Sequence, residues 1–329
     1  MKSSFFLLLL LTFFAGCSSK QYFEPEVLGD DWGKYESSSF EIVDVTSNAA
    51  LLDDRSVLSK KEHIDVFVPE DYRLVTVTSE WVVSASIDGK TTLTAVADKN
   101  IQEHFEFKKS VATASVQGDL LAVVFADNEL ALYDIPSKML LFQEQGGNAI
   151  ALDSRIFPPF FMQTLVVFAT LDGKVVIVNS ELKKRLRTVI VSSESAFNNV
   201  IHAALLENKI IAATPHKLLS MSQKDFRAAY EVRNVIYSKD RIYITTKQGE
   251  LFALTPELQV EQKAKFAFAH FLGMIELGEK LYILEKEGFL IVVDKKSFLY
   301  TVHEVDLNEG YVFVGERAFY VHDEKIILE

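Results

Sequence analysis

The chain predicts an all-β fold, a β-propeller of four-stranded antiparallel blades, and three observations predict it. Two short apolar strands meet at a tight polar turn eight times along the 329 residues: at Asp53-Asp54, Asp88-Gly89, Asp127-Asn128, Asp172-Gly173, Pro215-His216, Gln248-Gly249, Glu287-Gly288 and Asp323-Glu324. These turns recur every 33 to 45 residues with almost no helical pattern between them, which is the period of radially repeated blades. Apolar residues make up 49% of the chain, including 25 Phe and 11 Tyr, enough to fill the core of one large ring.

One blade can be read in full around residues 271–305. Residues 271–277 supply a short inner strand, A, and residues 281–284 and 289–293 flank the Glu287-Gly288 turn as strands B and C. After Asp294-Lys295-Lys296, residues 298–305 alternate as an outer strand, D. Strands B and C carry the strongest apolar signal because both of their faces meet neighbouring blades. Residues 119–145, 164–191 and 240–266 repeat the form. A weaker first blade is expected from 40–45, 49–52, 56–59 and 64–68, and the last blade ends on a C strand at 325–328. Residues before Phe40 are the available donor of its missing D strand, a closure that removes open sheet edges. The count is eight blades, or seven if 49–59 is a hairpin appended to the ring.

The N-terminus reads as an export signal over 1–16. Lys2 is its positive region, 5–14 its apolar run broken by Thr12, and Ala15-Gly16 its small residues before a cut. The run is shorter than the roughly 20 apolar residues of a membrane span. Cys17, the single cysteine, follows at once. Phe14-Ala15-Gly16-Cys17 resembles the lipobox of bacterial lipoproteins, with Phe14 where Leu is usual. The resemblance implies an acylated Cys17, palmitate included, as the mature N-terminus. Residues 17–38 then form a lipidated tether that contributes the closing strand, and 39–329 form the propeller domain. Ser18, rather than Asp, implies the outer membrane of a Gram-negative cell, periplasmic side. A net charge of −12 argues against nucleic acid, whose phosphates need a basic surface. It also argues against adhesion to anionic headgroups by anything but the lipid. A monomeric ring is expected.

The segment LALYDIPSKMLLF, 130–142, resembles the pyrroloquinoline-quinone-type propeller repeat. Leu132, Tyr133, Asp134, Lys138, Leu141 and Phe142 fall on its positions, and Ile135-Pro136-Ser137 replaces its usual turn. Residues 251–254 and 290–294 echo its first half, while the docking Trp is absent, the only tryptophans being Trp32 and Trp81. Quinone enzymes of this fold bring calcium ligands and, in several groups, a vicinal cysteine pair. Here there is no cysteine beyond Cys17 and no calcium-loop spacing. The seven histidines, at 63, 104, 202, 216, 270, 303 and 322, show no ligand pair. No catalytic residue, cofactor or metal is therefore expected. Asp53, Asp54 and Asp88 sit at turns, where Asp bonds its own backbone.

The largest departure from the repeat is Arg155 followed by Ile156, Phe157, Pro158, Pro159, Phe160, Phe161 and Met162. It reads as a long A–B connection between an inner strand near 149–152 and a B strand starting at Leu165. Two readings stay open: an exposed apolar partner contact, or phenylalanines folded back over the end of the core. The one basic cluster, Lys183, Lys184, Arg185 and Arg187, falls at the C–D connection of the same blade and face. It is a solvated turn, or part of a binding edge with the Phe-Pro segment.

A lipid-anchored propeller with quinoprotein-like repeats and no catalytic equipment is similar to the BamB family. That resemblance implies a non-enzymatic scaffold that docks a periplasmic domain of the outer-membrane barrel-assembly protein. The alternatives are a small molecule, glycan or host ligand bound in the central channel, and a divergent quinone enzyme.

Overall fold

The structure is a computed structural model that describes residues 21–238 and 240–329. The signal segment 1–16, Cys17 and Ser18 lie outside the described residues. Eight four-stranded antiparallel sheets follow one another around a ring. Blade 1 runs Ile42–Val45, Ala49–Leu52, Val57–Ser59 and His63–Ile64, and blade 2 runs Arg73–Val77, Trp81–Ala85, Lys90–Ala95 and Gln102–Glu106. Blade 3 comprises Val111–Gln117, Leu120–Phe125, Glu129–Asp134 and Leu140–Gln145; blade 4, Phe160–Met162, Leu165–Ala169, Lys174–Asn179 and Lys184–Ile190. In blade 5 the strands are His202–Leu206, Lys209–Ala213, Lys217–Met221 and Phe226–Ala229, and in blade 6 Val232–Tyr237, Ile242–Thr246, Glu250–Leu254 and Val260–Lys265. Blade 7 holds Phe271–Leu277, Lys280–Glu285, Phe289–Asp294 and Tyr300–Glu304; blade 8, Val312–Val314, Ala318–Val321, Glu324–Ile327 and, as its outer strand, Tyr35–Ser37.

All eight turns read from the sequence are the B–C hairpins of these blades. At Gly249 the chain requires glycine: its φ is 74° and a Cβ there would lie 2.1 Å from the carbonyl oxygen of Phe266. The ring closes as expected. Tyr35 pairs with Ile326, Glu36 with Lys325 and Ser37 with Glu324, so the first described strand completes the last blade.

Strand alternation explains why the ring holds. In blade 3, Leu121, Val123 and Phe125 face blade 2 and pack with Val75, Val83 and Leu93. Their neighbours Ala122 and Val124 face blade 4 and pack with Val166, Phe168 and Val176. Period-two side chains thus send each B strand into two separate cores. The described residues form eight core clusters, and each joins one pair of adjacent blades, blade 8 to blade 1 included. The core is a circle of eight seams with no central mass.

The tether expectation needs a correction. Residues 23–34 are docked, forming a strap across blade 7. Phe23 is 6% exposed, edge-on to Phe266 and Phe289 at 6.1 and 5.5 Å. The Gly29 N–H donates to Val302 O at 2.8 Å and the Trp32 N–H to Glu304 O at 3.0 Å. Trp32 Nε1 also donates to Ile327 O at 3.0 Å, which sews the strap to blade 8.

Strand order sets the two ends of the ring. Strands A to D alternate in direction, so A–B and C–D turns leave at one end, and B–C turns and blade-to-blade connections at the other.

Candidate functional site

The blade 3–4 connection, residues 146–159, is where the molecule departs from its repeat. The structure corrects the reading of this region. Residues 149–152 form no strand, and the inner strand of blade 4 is Phe160–Met162 itself. Pro158 and Pro159 have no N–H to donate, so pairing starts at Phe160, opposite Val167, and ends with Met162 opposite Leu165. Gln163, at φ 53°, makes the tight turn. Ile156 to Pro159 are therefore the last part of a blade-to-blade connection, and the A–B connection is only Gln163 and Thr164.

The connection reaches residues of several blades around the channel. An Arg155 guanidinium N–H donates to the carbonyl of Arg233 in the inner strand of blade 6, and the same side chain chelates Asp153 through Nε at 2.7 Å and Nη2 at 2.6 Å. Phe157 lies edge-on to His202 of blade 5 at 5.2 Å, and His202 stacks on Tyr237 of blade 6 at 4.9 Å. Phe157, Phe160 and Met162 pack on the blade 4–5 core, Ile156 and Phe161 on the blade 3–4 core. Pro159 is buried and Pro158 half-buried. The phenylalanines thus fold onto the core, while one side of the segment stays open.

That open side walls a cavity of about 380 Å³ at the A–B end of the ring. Its other walls are Asn48 of blade 1, residues 77–80 of blade 2 and residues 115–118 of blade 3. Asn48 is fixed by its Nδ2, which donates to Val77 O at 2.7 Å. Phe157, Pro158, Pro159, Phe160, Phe161, Val77 and Val116 supply the apolar half of the lining; Asn48, Thr78, Ser79, Ser115 and Gln117 make the rest polar, and Glu80 is its ionisable group. Such a pocket recognises an apolar side chain by contact, with hydroxyls and amides around it to fix orientation.

The basic cluster lies elsewhere. Lys183 is in the C–D turn at φ 54°, and Lys184, Arg185 and Arg187 stand exposed on the outer strand of blade 4. Arg185 pairs with Glu144 of blade 3 at 2.7 Å. Arg187 reaches both carboxylate oxygens of Asp225 next to blade 5, at 2.9 and 3.0 Å. The Phe-Pro segment and the basic residues therefore sit at opposite radial ends of one blade.

Sequence reading missed the arginines of the channel wall. Inner strands of blades 1, 2, 3, 6 and 7 carry a bulge near their start, which leaves carbonyls unpaired in the ladder. Arg73 donates to Val111 O and Arg233 Nε to Phe271 O at 2.9 Å, each from one blade to the next across 38 residues. Burial lowers the pKa of both guanidinium groups from the ordinary arginine value. The signal was an arginine at the start of two inner strands, legible only with the register in hand.

The histidines show what local chemistry is present. Ser56 donates to Asp54 Oδ1 at 2.5 Å and contacts His63 Nε2 at 2.8 Å. The serine stands between acid and imidazole and is fully buried, so the trio lacks the serine–histidine–acid order of a nucleophile relay. The Ser56 hydroxyl holds the Asp54 carboxyl below its usual pKa. At His202, burial together with the charges of Lys60 and Arg155 lowers the pKa to about 3. Its Nε2 and the Tyr237 hydroxyl are buried without a hydrogen-bond partner. Among the described residues no group of three or more His, Cys, Asp or Glu could hold a metal ion.

No protein-family profile matches the chain. It is 34% identical over 209 residues to the plasminogen-binding protein PgbB of Helicobacter pylori strain J99, across 62% of this chain and 39% of that one. The PgbB of strain 26695 is likewise 34% identical, over 210 residues, 62% of this chain and 38% of the relative. The chain thus spans well under half the length of these curated relatives. Among solved structures, BamB of Moraxella catarrhalis superposes with a TM-score of 0.65 at 11% identity, covering 91% of this chain and 98% of that chain. The computationally designed Ika8 protein gives 0.65 at 12% identity, covering 92% and 100%. At such identities the likeness is one of fold, which an unrelated designed ring shares equally.

Proposed function

We propose that this chain is a non-enzymatic, lipid-anchored propeller that binds a protein partner at the outer membrane. The observation that carries the reading is the 34% identity to plasminogen-binding proteins over 62% of the chain. The site agrees with it: a cavity at one mouth of the ring, with an apolar wall of Phe157, Phe160 and Phe161 facing polar side chains, suits insertion of a partner's side chain with an apolar face and a polar end. Cys17 acylation, the periplasmic face of the outer membrane and a part in barrel assembly belong to this proposal. The last rests on the likeness to the BamB family. A second partner reading, a plasminogen-like host protein, is favoured by the name of the relatives.

The test is a mild-detergent pull-down of the full lipoprotein from native membranes, read by mass spectrometry, beside plasminogen binding measured on the purified protein. Wild type is compared with Phe160→Ala/Phe161→Ala and with Glu80→Arg, a change at an exposed position of the cavity rim. Recovery of the barrel-assembly protein that both variants lose supports assembly. Plasminogen binding that both variants lose supports the host-protein reading. Recovery of the propeller alone, with no plasminogen bound, overturns the protein-binding function.

A further inference from the structure

We propose that the outer rim of blade 7, with the strap across it, is the side of the propeller that rests against the lipid surface. This rests on the acylated Cys17 of the proposed function, and the measurements below separate the two.

A leash and a patch carry the inference. Phe23 is held in the seam between blades 6 and 7 by Phe266 and Phe289. Cys17 lies six positions before it, a reach of about 20 Å even when fully extended. A compact domain of this size is on the order of 50 Å across. The leash is therefore shorter than the ring is wide, and the acyl chains can enter a bilayer only beside the blade that holds Phe23. The far side, blade 3, is opposite blade 7 in a ring of eight and lies farthest from the anchor.

The surface at that point exposes several large apolar side chains among carboxylates. Leu299 is 74% exposed and Val27 79%, with Tyr22, Leu28 and Tyr300 also exposed around them. Contacts place two of them on this rim: the Tyr300 ring lies 4.9 Å from Phe266 and so beside Phe23, and the Gly29–Val302 hydrogen bond lays Leu28 along the outer strand. The outer strand of blade 4 also exposes Leu186 and Ile190, but sets Leu186 among Lys184, Arg185 and Arg187. Exposed apolar and tyrosine side chains gain by entering a headgroup layer. The strap also carries Glu24, Glu26, Asp30 and Asp31, which repel anionic lipid. The surface it fits is a zwitterionic headgroup layer, met at shallow depth.

The experiment uses the full-length lipoprotein, purified from membranes and reconstituted into phosphatidylethanolamine–phosphatidylcholine vesicles with or without doxyl-labelled lipid. A fluorophore is placed on Leu299→Cys or, separately, on Leu186→Cys, two exposed rim positions on blades 7 and 4. Expected is quenching by doxyl lipid severalfold stronger at 299 than at 186, with a blue-shifted emission at 299 alone. Equal quenching, or stronger quenching at 186, overturns the orientation while leaving the anchor intact. Intact mass and vesicle flotation of wild type and Cys17→Ser report the anchor independently. Lack of the acyl mass on wild type overturns anchor and orientation together.

Discussion

Blades 7 and 4 are built on the same repeat, yet they divide their residues differently. The inner strand of blade 7 runs seven residues, Phe271–Leu277, and that of blade 4 only three, Phe160–Met162. Blade 7 feeds both faces of its sheet into seam cores, with Leu281 and Ile283 in one and Tyr282 and Leu284 in the next. Blade 4 keeps its two middle strands in that role and gives up most of its inner strand. The preceding chain runs along the channel in its place and walls the cavity. The seams between blades hold the ring, and the blade 3–4 connection supplies one wall of the cavity.

This contrast sets the order of expected effects. The largest belongs to blade 7. Ile283 is fully buried, so Ile283→Ala should cost about 2–4 kcal/mol in denaturant unfolding, with no change in the local surroundings of the cavity. A loss under 1 kcal/mol, by the same scale, would break the claim that the seams carry stability.

The next effect belongs to the blade 4 connection. With a pKa near 3 in the folded protein against 6.5 ordinarily, His202 stays neutral where the unfolded chain binds a proton. Its contribution is complete above about 6.5 and is lost as pH falls towards 3. Wild type should therefore lose up to about 2 kcal/mol more than His202→Phe between pH 6.5 and about 5. Parallel pH–stability curves for the two proteins would show that the Phe157–His202–Tyr237 stack is not closed to solvent. The smallest effect is at the rim. Arg187→Ala breaks an exposed pair with Asp225 and should change stability by less than about 1 kcal/mol, measured by thermal unfolding. A larger loss would mean that the outer strand of blade 4 helps to hold the ring.

The difference between the blades also marks what is legible in the sequence alone. The eight hairpins were legible because turn chemistry and alternation are local: Asp88-Gly89 or Gln248-Gly249 needs only its flanking strands to declare itself. The closing strand was legible from a missing partner, since 324–327 left an open edge. Blade 4 was misread because residues 149–152 look as strand-like as Phe160–Met162. The choice is made by the prolines at 158 and 159 and by contacts with blades 5 and 6. The Phe-Pro segment stands out from the repeat in the sequence, but its place in the channel depends on Arg155 finding a carbonyl 78 residues away. Polar composition suggested a loose tether before Phe40, whereas Phe23 and Trp32 dock it on blades 7 and 8.

The pairing of Tyr35–Ser37 with Glu324–Ile327 has a consequence for how the protein is made. These strands lie nearly 290 residues apart, so the last blade cannot form while the chain is still being synthesised. Until its final residues arrive, blades 1 and 7 each present an unsealed seam, and the ring stays open. The closure acts as a timer: it delays the locked state until both strands are available.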